Sequence, residues 1–249
     1  MIRTTDALIL RSEGLRETSR LLVFFSRDFG KLVTLAKGVT REEGRFVSPL
    51  DSLTYHRIVF YERSRSGLHL LTQCDLLDGF LPLREELESL AYGFYFLELV
   101  SRVAQPAMKE EQLFLLLLEG LRELCKRQIP PPLLARAFEA RLLSTAGFMP
   151  ELRLCLVCRG LLSEWMSPRF DKGGFVCDRC QAPLEGRGFS RGTVASLGHL
   201  LASDFPSLGR FQLSKNDHEK MSGLLEKFLA SCLEERPKSR FFLERVLAS

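Results

Sequence analysis

Four cysteines in the second half of the chain have the spacing of metal ligands. Cys155 and Cys158 form one C-x-x-C pair, and Cys177 and Cys180 form a second pair after eighteen intervening residues. Two residues between ligands let both thiolates of a pair point at one ion from a tight turn. Two such turns supply the four tetrahedral thiolates that Zn²⁺ prefers. The spacing therefore predicts one zinc ion bound by these four cysteines.

The predicted metal is structural, because a catalytic zinc keeps one coordination position open and four cysteines close the shell. Free thiols are one alternative. A thioredoxin-like redox pair is another, but neither pair opens a helix within a βαβ unit. We expect Trp165, Met166, Phe170 and Phe175 to form a small apolar base beneath the two cysteine turns, with an exposed binding surface as the alternative.

The composition is that of an ordinary globular protein. The chain has 249 residues, of which 45% are hydrophobic and 27% charged, with a formal net charge of +4. This length predicts two or three packed units. No secretory signal pattern begins the sequence, and the longest apolar run, Leu113 to Leu118, is too short to span a bilayer. We therefore expect an intracellular protein. In such a protein, seven cysteines of which four form two C-x-x-C pairs favour metal ligation over disulfides.

The first eighty residues have the pattern of short strands. β-branched and aromatic residues are plentiful there, and glycines punctuate the runs at turn positions. A small domain with five antiparallel strands removes its exposed edges by closing into a barrel, so the pattern predicts a five-stranded OB-fold barrel. The predicted strands are residues 7–10, 20–25, 31–36, 53–61 and 67–76.

After Pro82 the apolar residues recur at helical spacing. Residues 151–189 interrupt this pattern with the cysteines and several glycines, which indicates a loop-rich insert. The sequence therefore predicts an α+β protein: an OB-fold domain at 1–80, then a helical domain at 81–249 that contains a four-cysteine zinc module. The predicted helices are residues 85–103, 109–127, 133–145, 190–201, 216–233 and 238–247.

Basic and aromatic residues are interleaved along the first three predicted strands. OB barrels bind single strands with a basic groove along the phosphates and aromatic rings that stack on bases. The alternative is that the cations are solvated and the aromatic rings belong to the core. The aromatic residues are Phe24, Phe25, Phe29, Phe46, Tyr55 and Tyr61. The candidate DNA contacts are Arg16, Arg20, Lys31, Lys37, Arg41 and Arg45.

The sequence carries no enzyme signature. It contains no phosphate-binding loop, no G-x-S-x-G and no H-E-x-x-H, and its four histidines have no partners at useful spacing. We therefore expect a protein without catalytic activity. An enzyme that acts on nucleic acid remains an alternative, and it requires an acidic or histidine cluster in a cleft of the folded chain.

Four stretches of the chain, in this order, resemble the bacterial RecO recombination mediators. The first resembles the family's first hairpin, the second its "GK…AKG" strand and loop, the third its helix before the zinc module, and the fourth its "LKSR" element. These stretches are Arg16–Leu22, Gly30–Gly38, Arg136–Pro150 and Lys238–Arg240.

The resemblance implies an N-terminal OB fold and a helical C-terminal domain. It also implies binding to single- and double-stranded DNA, annealing of complementary strands, binding to RecR and to the single-strand-binding protein, and help in loading RecA during repair in the bacterial cytoplasm, in association with the nucleoid. Arg136 and Arg141 are candidates for gripping the acidic tail of the single-strand-binding protein. They are alternatively surface charges, or an intrahelical partner for Glu139. The alternative function is a zinc-stapled OB-fold adaptor that binds only proteins.

Overall fold

The computed structural model describes residues 1–16, 18–39, 46, 49–63, 67–181, 188–233 and 235–248. The chain forms two compact units. One consists of Met1–Cys125 with Pro237–Ser249, and the other of Lys126–Arg236.

Five strands of the first unit close into a barrel in the order β1-β2-β3-β5-β4. Neighbouring strands are antiparallel except β3 and β5, which run parallel. Closure pairs every strand on both sides and leaves no open edge. The α+β class and the five-stranded OB-fold barrel are therefore confirmed. The strands are β1 (Ile2–Arg16), β2 (Ser19–Ser26), β3 (Gly30–Lys37), β4 (Tyr55–Tyr61) and β5 (Leu68–Asp78).

The barrel is apolar inside and is also covered outside. Successive side chains of a strand point to opposite faces, and both Phe24 and Phe25 on β2 are fully buried. Phe24 belongs to the apolar cluster that fills the barrel. The ring centroid of Phe25 lies 6.1 Å from that of Phe114, and the ring of Tyr55 lies 6.2 Å from the same residue. A helix that carries Phe114 therefore covers this side of the barrel.

Three helices belong to the same unit as the barrel. They are α1 (Leu87–Val103), α2 (Glu111–Lys126) and α6 (Lys238–Leu247).

Glu98 of α1 holds the start of α6. Its carboxylate accepts hydrogen bonds from the backbone N–H groups of Lys238 and Ser239, at 3.0 and 2.7 Å, and from the Ser239 hydroxyl at 2.6 Å. Pro237 precedes α6 and offers no capping side chain, so Glu98 satisfies helix N–H groups that would lack a partner. This contact gives the Lys238–Arg240 stretch a structural role.

The second unit contains three helices and a small sheet with the strand order β6-β8-β7-β9. The expectation of a loop-rich insert is thus wrong in part, because strands of two to five residues are too short to show a periodic pattern. The helices are α3 (Pro131–Thr145), α4 (Arg191–Ala202) and α5 (Lys215–Cys232). The strands are β6 (Glu151–Cys155), β7 (Trp165–Arg169), β8 (Gly174–Cys177) and β9 (Phe189–Ser190).

The division at residue 80 and the insert bounds 151–189 remain predictions. Within the part of the chain that the structure describes, no helix has the length and apolar character needed to cross a membrane.

Candidate metal centre and nucleic-acid interface

The four predicted metal ligands lie together. Cys155 ends β6 and Cys177 ends β8, and because these neighbouring strands run parallel, their last residues meet at one edge of the sheet. Cys158 and Cys180 follow in the two turns. All four sulfur atoms lie within 4.8 Å of one another, and the Cys158 and Cys177 sulfurs are 3.9 Å apart. The cluster could hold one metal ion.

Local hydrogen bonds shape both cysteine turns. In the first turn, the backbone N–H of Arg159 donates to the Cys155 carbonyl at 2.9 Å, and the Cys155 N–H donates to the Gly160 carbonyl at 2.8 Å. Arg159 has a left-handed backbone with φ 58°. In the second turn, the N–H groups of Cys180 and Gln181 both donate to the Cys177 carbonyl at 3.0 Å. The turns therefore hold the thiols together through backbone contacts.

The surroundings of Cys155 favour a thiolate, which is the form that binds metal. Burial raises the pKa of its thiol, but backbone N–H groups of Cys177, Cys158 and Val157 outweigh burial and lower the pKa to about 6. Contacts with the thiols of Cys158 and Cys177 raise the pKa of Cys180 to about 12.

The predicted apolar base is present only in part. Met166 and Phe175 are buried. Phe170 packs against Phe228, with ring centroids 4.9 Å apart. Trp165, by contrast, is 46% exposed, so its expected place beneath the cysteine turns is wrong.

Two of the six candidate DNA contacts have their charged groups bound within the first unit. The Arg20 guanidinium donates at 3.3 Å to the Leu50 carbonyl and to the Asp51 carboxylate. The Lys31 ammonium donates at 2.9 Å to the Ser101 carbonyl in the last turn of α1. Forming a phosphate contact would require these residues to exchange an existing bond, so they are weaker candidates than the sequence suggested.

The remaining candidates lie near one end of the barrel or outside the described residues. Ser19 pairs with Arg16 on one side and with Lys37 on the other, which places these positions on three adjacent strands. Lys37 is exposed and forms no ion pair within the described part of the chain. Arg41 and Arg45 lie outside the described residues.

Most of the aromatic set belongs to the core. Buried positions hold Phe24, Phe25, Phe46 and Tyr55. Tyr61 is 48% exposed, and it is therefore the ring most accessible for stacking.

Phe29 is partly buried, and its ring centroid lies 5.7 Å from the Arg3 guanidinium carbon. Arg3 in turn pairs with Glu62 at 3.0 Å. Most of the phenylalanines in the set are therefore core residues, which was the alternative to base stacking.

The two candidate partner-binding arginines have internal roles in the second unit. Arg136 is 2% exposed and pairs with Glu139 at 2.8 Å, which is the intrahelical alternative. It also donates to the Ser222 hydroxyl. The Arg141 guanidinium donates to the Ser203 carbonyl and lies 3.8 Å over the Phe205 ring. Their role in gripping a peptide stays a prediction, and neither presents an uncommitted charge.

Two further exposed arginines, Arg153 and Arg191, carry no signal of function in the motifs of the sequence. Both line one groove beside α4. Helical spacing alone connects part of this lining, since Arg191, Val194 and Gly198 follow one another at the three- and four-residue spacing that places them on one helix face.

The closed five-stranded barrel, the six helices and the four-cysteine cluster define an α+β protein with an OB-type barrel and a potential metal centre. Residues 1–80 match the family described as "Recombination protein O N terminal", and residues 84–241 match "Recombination protein O C terminal". The chain therefore belongs to the RecO family of DNA repair proteins, which confirms the resemblance seen in the sequence.

Three curated relatives agree over nearly the whole chain. The DNA repair protein RecO of Moorella thermoacetica is 31% identical over 97% of this chain and 90% of its own. The RecO protein of Desulfatibacillum aliphaticivorans is 31% identical over 97% of this chain and 96% of its own. For the RecO protein of Pelotomaculum thermopropionicum, the identity is 31% and the coverages are 96% and 93%.

Proposed function

We propose that this protein is a non-enzymatic DNA-repair mediator. It binds single- and double-stranded DNA, anneals complementary strands and helps to load RecA onto DNA coated with the single-strand-binding protein. The observation that carries the proposal is the closed OB-type barrel, whose residues match the N-terminal part of the RecO family. RecR and the tail of the single-strand-binding protein are the proposed protein partners, and the proposed location is the nucleoid in the cytoplasm.

The proposed DNA surface is the barrel end at Arg16, Ser19 and Lys37. Pairing of β1, β2 and β3 brings these positions together, and the chain continues from β3 toward Arg41 and Arg45. Cations at the end of a barrel neutralise phosphates and release condensed counterions.

The metal proposed for the cysteine cluster is one Zn²⁺. A tetrahedral shell with Zn–S bonds of about 2.3 Å separates its sulfurs by about 3.8 Å. The 3.9 Å between the Cys158 and Cys177 sulfurs fits that shell. Bound zinc would supply a fixed crosslink between the two turns and would leave no position for a substrate, so the cysteines hold the small sheet in shape.

A charge reversal tests the DNA proposal. Lys37→Glu should weaken binding to a fluorescein-labelled oligonucleotide about five- to tenfold and lower the slope of log K against log salt by about 1 to 2. Lys172→Glu is the matched control, because Lys172 is also an exposed lysine but lies in the second unit. Absence of binding by the wild type at low salt would refute the DNA proposal.

A protein-only adaptor is the second candidate, and the internal bonds of Arg20 and Lys31 favour it. These contacts remove two cations from the predicted basic surface. An adaptor would bind RecR or the single-strand-binding protein with no oligonucleotide affinity at low salt, so the same titration separates the two candidates.

A further inference from the structure

Arg20 lies at the end of the barrel core, beside the proposed DNA surface. Its side chain shares a face of β2 with Leu22 and Phe24, because side chains two positions apart on a strand point the same way. Both of those residues belong to the apolar cluster that fills the barrel. Arg20 directly follows Ser19, and its side chain is 39% exposed. It therefore presents a positive charge where the barrel core ends.

Only one nitrogen of the Arg20 guanidinium is engaged. Nη1 donates to the Ser12 hydroxyl, to the Leu50 carbonyl and to the Asp51 carboxylate, each at 3.3 Å. Each distance is longer than the usual range for an N–H···O bond, which ends at about 3.2 Å. Nε and Nη2 donate to no group in the part of the chain that the structure describes. The guanidinium therefore retains donors for a bidentate contact with a phosphate.

The loop that carries Asp51 is fixed on both sides of this residue. Leu50, the preceding residue, is 3% exposed and belongs to the apolar cluster of the barrel. On the other side, the Ile9 N–H of β1 donates to the Thr54 carbonyl at 3.0 Å. The Thr54 hydroxyl in turn donates to the Asp51 carbonyl. These contacts hold the Asp51 carboxylate beside Arg20.

We propose that Asp51 is an internal competitor for DNA phosphate at Arg20. In the free protein the carboxylate pairs with the guanidinium. When DNA binds, a phosphate replaces the carboxylate, and the contacts of Arg20 with Ser12 and Leu50 remain. Arg20 thus contributes to DNA affinity only as far as phosphate outcompetes Asp51. This inference rests on the proposed DNA-binding function of the barrel.

The exposure of the pair makes this exchange easy. The side chains of Arg20 and Asp51 are 39% and 57% exposed, and an exposed ion pair shifts an equilibrium by no more than about fivefold. Phosphate can therefore displace the carboxylate, but the displacement lowers the affinity. The pair between Arg136 and Glu139 could not exchange in this way. Its side chains are 2% and 1% exposed, and separating them would leave buried charges without partners.

The first test removes the charge of Asp51 and keeps its shape. Asp51→Asn in the full chain should strengthen binding to a fluorescein-labelled oligothymidine about three- to fivefold at low salt, because phosphate no longer has to displace a carboxylate. The gain should shrink as salt is added, since screening weakens the ion pair that the substitution removes. Melting curves establish that the variant folds like the wild type.

Asp171→Asn is the matched control. Asp171 forms a comparable exposed pair with Arg169 at 3.2 Å, with side chains 62% and 37% exposed, but this pair lies in the second unit. The control should change oligothymidine affinity by less than about 1.5-fold. An equal gain from Asp171→Asn and Asp51→Asn would show that total charge, and not competition at Arg20, sets the affinity. That result would overturn the proposal.

The second test is a double-mutant cycle. Arg20→Gln should weaken oligothymidine binding, because it removes the phosphate contact. In the Arg20→Gln background, Asp51→Asn should change the affinity by less than about 1.5-fold, since no ion pair is left to break. Equal gains from Asp51→Asn in both backgrounds would show that Asp51 repels DNA independently of Arg20, and would overturn the proposal.

The same titrations separate this inference from the DNA-binding proposal. If the wild type binds the oligothymidine and Asp51→Asn binds with the same affinity, only the competition at Arg20 is overturned. Wild-type affinity of a folded Arg20→Gln protein has the same meaning, because Arg20 then contacts no phosphate. If neither the wild type nor Asp51→Asn binds at low salt, the DNA-binding proposal fails, and the competition at Arg20 fails with it.

Discussion

The Lys31 ammonium donates a 2.9 Å hydrogen bond to the Ser101 carbonyl, and this bond joins β3 of the barrel to the last turn of α1. Carbonyls at a helix C-terminus lack intrahelical partners, and a cation there also complements the helix dipole. A residue that the sequence suggested for phosphate binding is thus engaged in joining the barrel to a helix.

Lys31→Met should therefore lower the free energy of unfolding by about 1–2 kcal/mol. Lys37→Met, which removes an exposed amine from the same strand, should change stability by less than about 0.5 kcal/mol. Urea unfolding followed by circular dichroism measures both values. Unchanged stability of Lys31→Met together with a large loss of DNA affinity would instead assign Lys31 to the DNA surface.

Gly30→Ala should destabilise the protein more than Gly38→Ala. Both glycines have positive φ, 63° and 74°, so both substitutions carry a backbone penalty of about 1 kcal/mol. Only at Gly30 would the added Cβ lie 1.9 Å from the Met108 carbonyl oxygen. We expect an additional loss of at least about 2 kcal/mol for Gly30→Ala in the same urea experiment. Equal losses would show that the loop at Met108 moves away without cost.

Elemental analysis should find about one zinc per chain. Cys177→Ser should lose the metal and lower the melting temperature by several degrees, because a hydroxyl replaces one thiolate ligand at the sheet edge. Cys232→Ser is the control, since Cys232 ends α5 away from the cluster. A wild-type protein that is stable and free of metal would contradict the structural role given to zinc.

Stability should fall as the solution is acidified, with His56 as one cause. Burial lowers the pKa of His56 from 6.5 to about 4. The unfolded chain therefore takes up this proton first, and stability from the neutral imidazole is lost as pH falls from about 6.5 to about 4. The loss amounts to about 2–3 kcal/mol across that window.

The matched variant is His56→Gln, which retains a polar group beside Thr54 but does not titrate. Its unfolding free energy should depend less steeply on pH between 4 and 6.5 than that of the wild type. His199→Gln changes an exposed histidine and serves as the control. Parallel pH curves for His56→Gln and the wild type would exclude His56 as a source of the slope.

The sequence was most informative where a local pattern has one physical solution. Short runs rich in β-branched and aromatic residues, separated by glycines, indicated the five strands, and the C-x-x-C pairs indicated four thiols that the structure places within 4.8 Å of one another. It was least informative about long-range polar contacts. Lys31 and Ser101 are seventy positions apart, and Arg20 and Asp51 are thirty-one apart, so no local pattern reveals that these groups meet. The ion pair between Arg136 and Glu139, by contrast, could be anticipated from the sequence, because the two residues are one helical turn apart.

The packing of Phe114 against Phe25 and Tyr55 also limits which parts of this protein can be exchanged with another. The isolated barrel would expose the apolar surface around Phe25 and Tyr55 that α2 covers here. We therefore expect that the barrel cannot be transferred alone to another protein. A substitution at Phe25 on β2 should be compensated best by a change at Phe114 on α2. The barrel and α2 therefore form one folding unit, and chimeras cut after residue 80 should aggregate unless they also carry a helix that covers Phe25 and Tyr55.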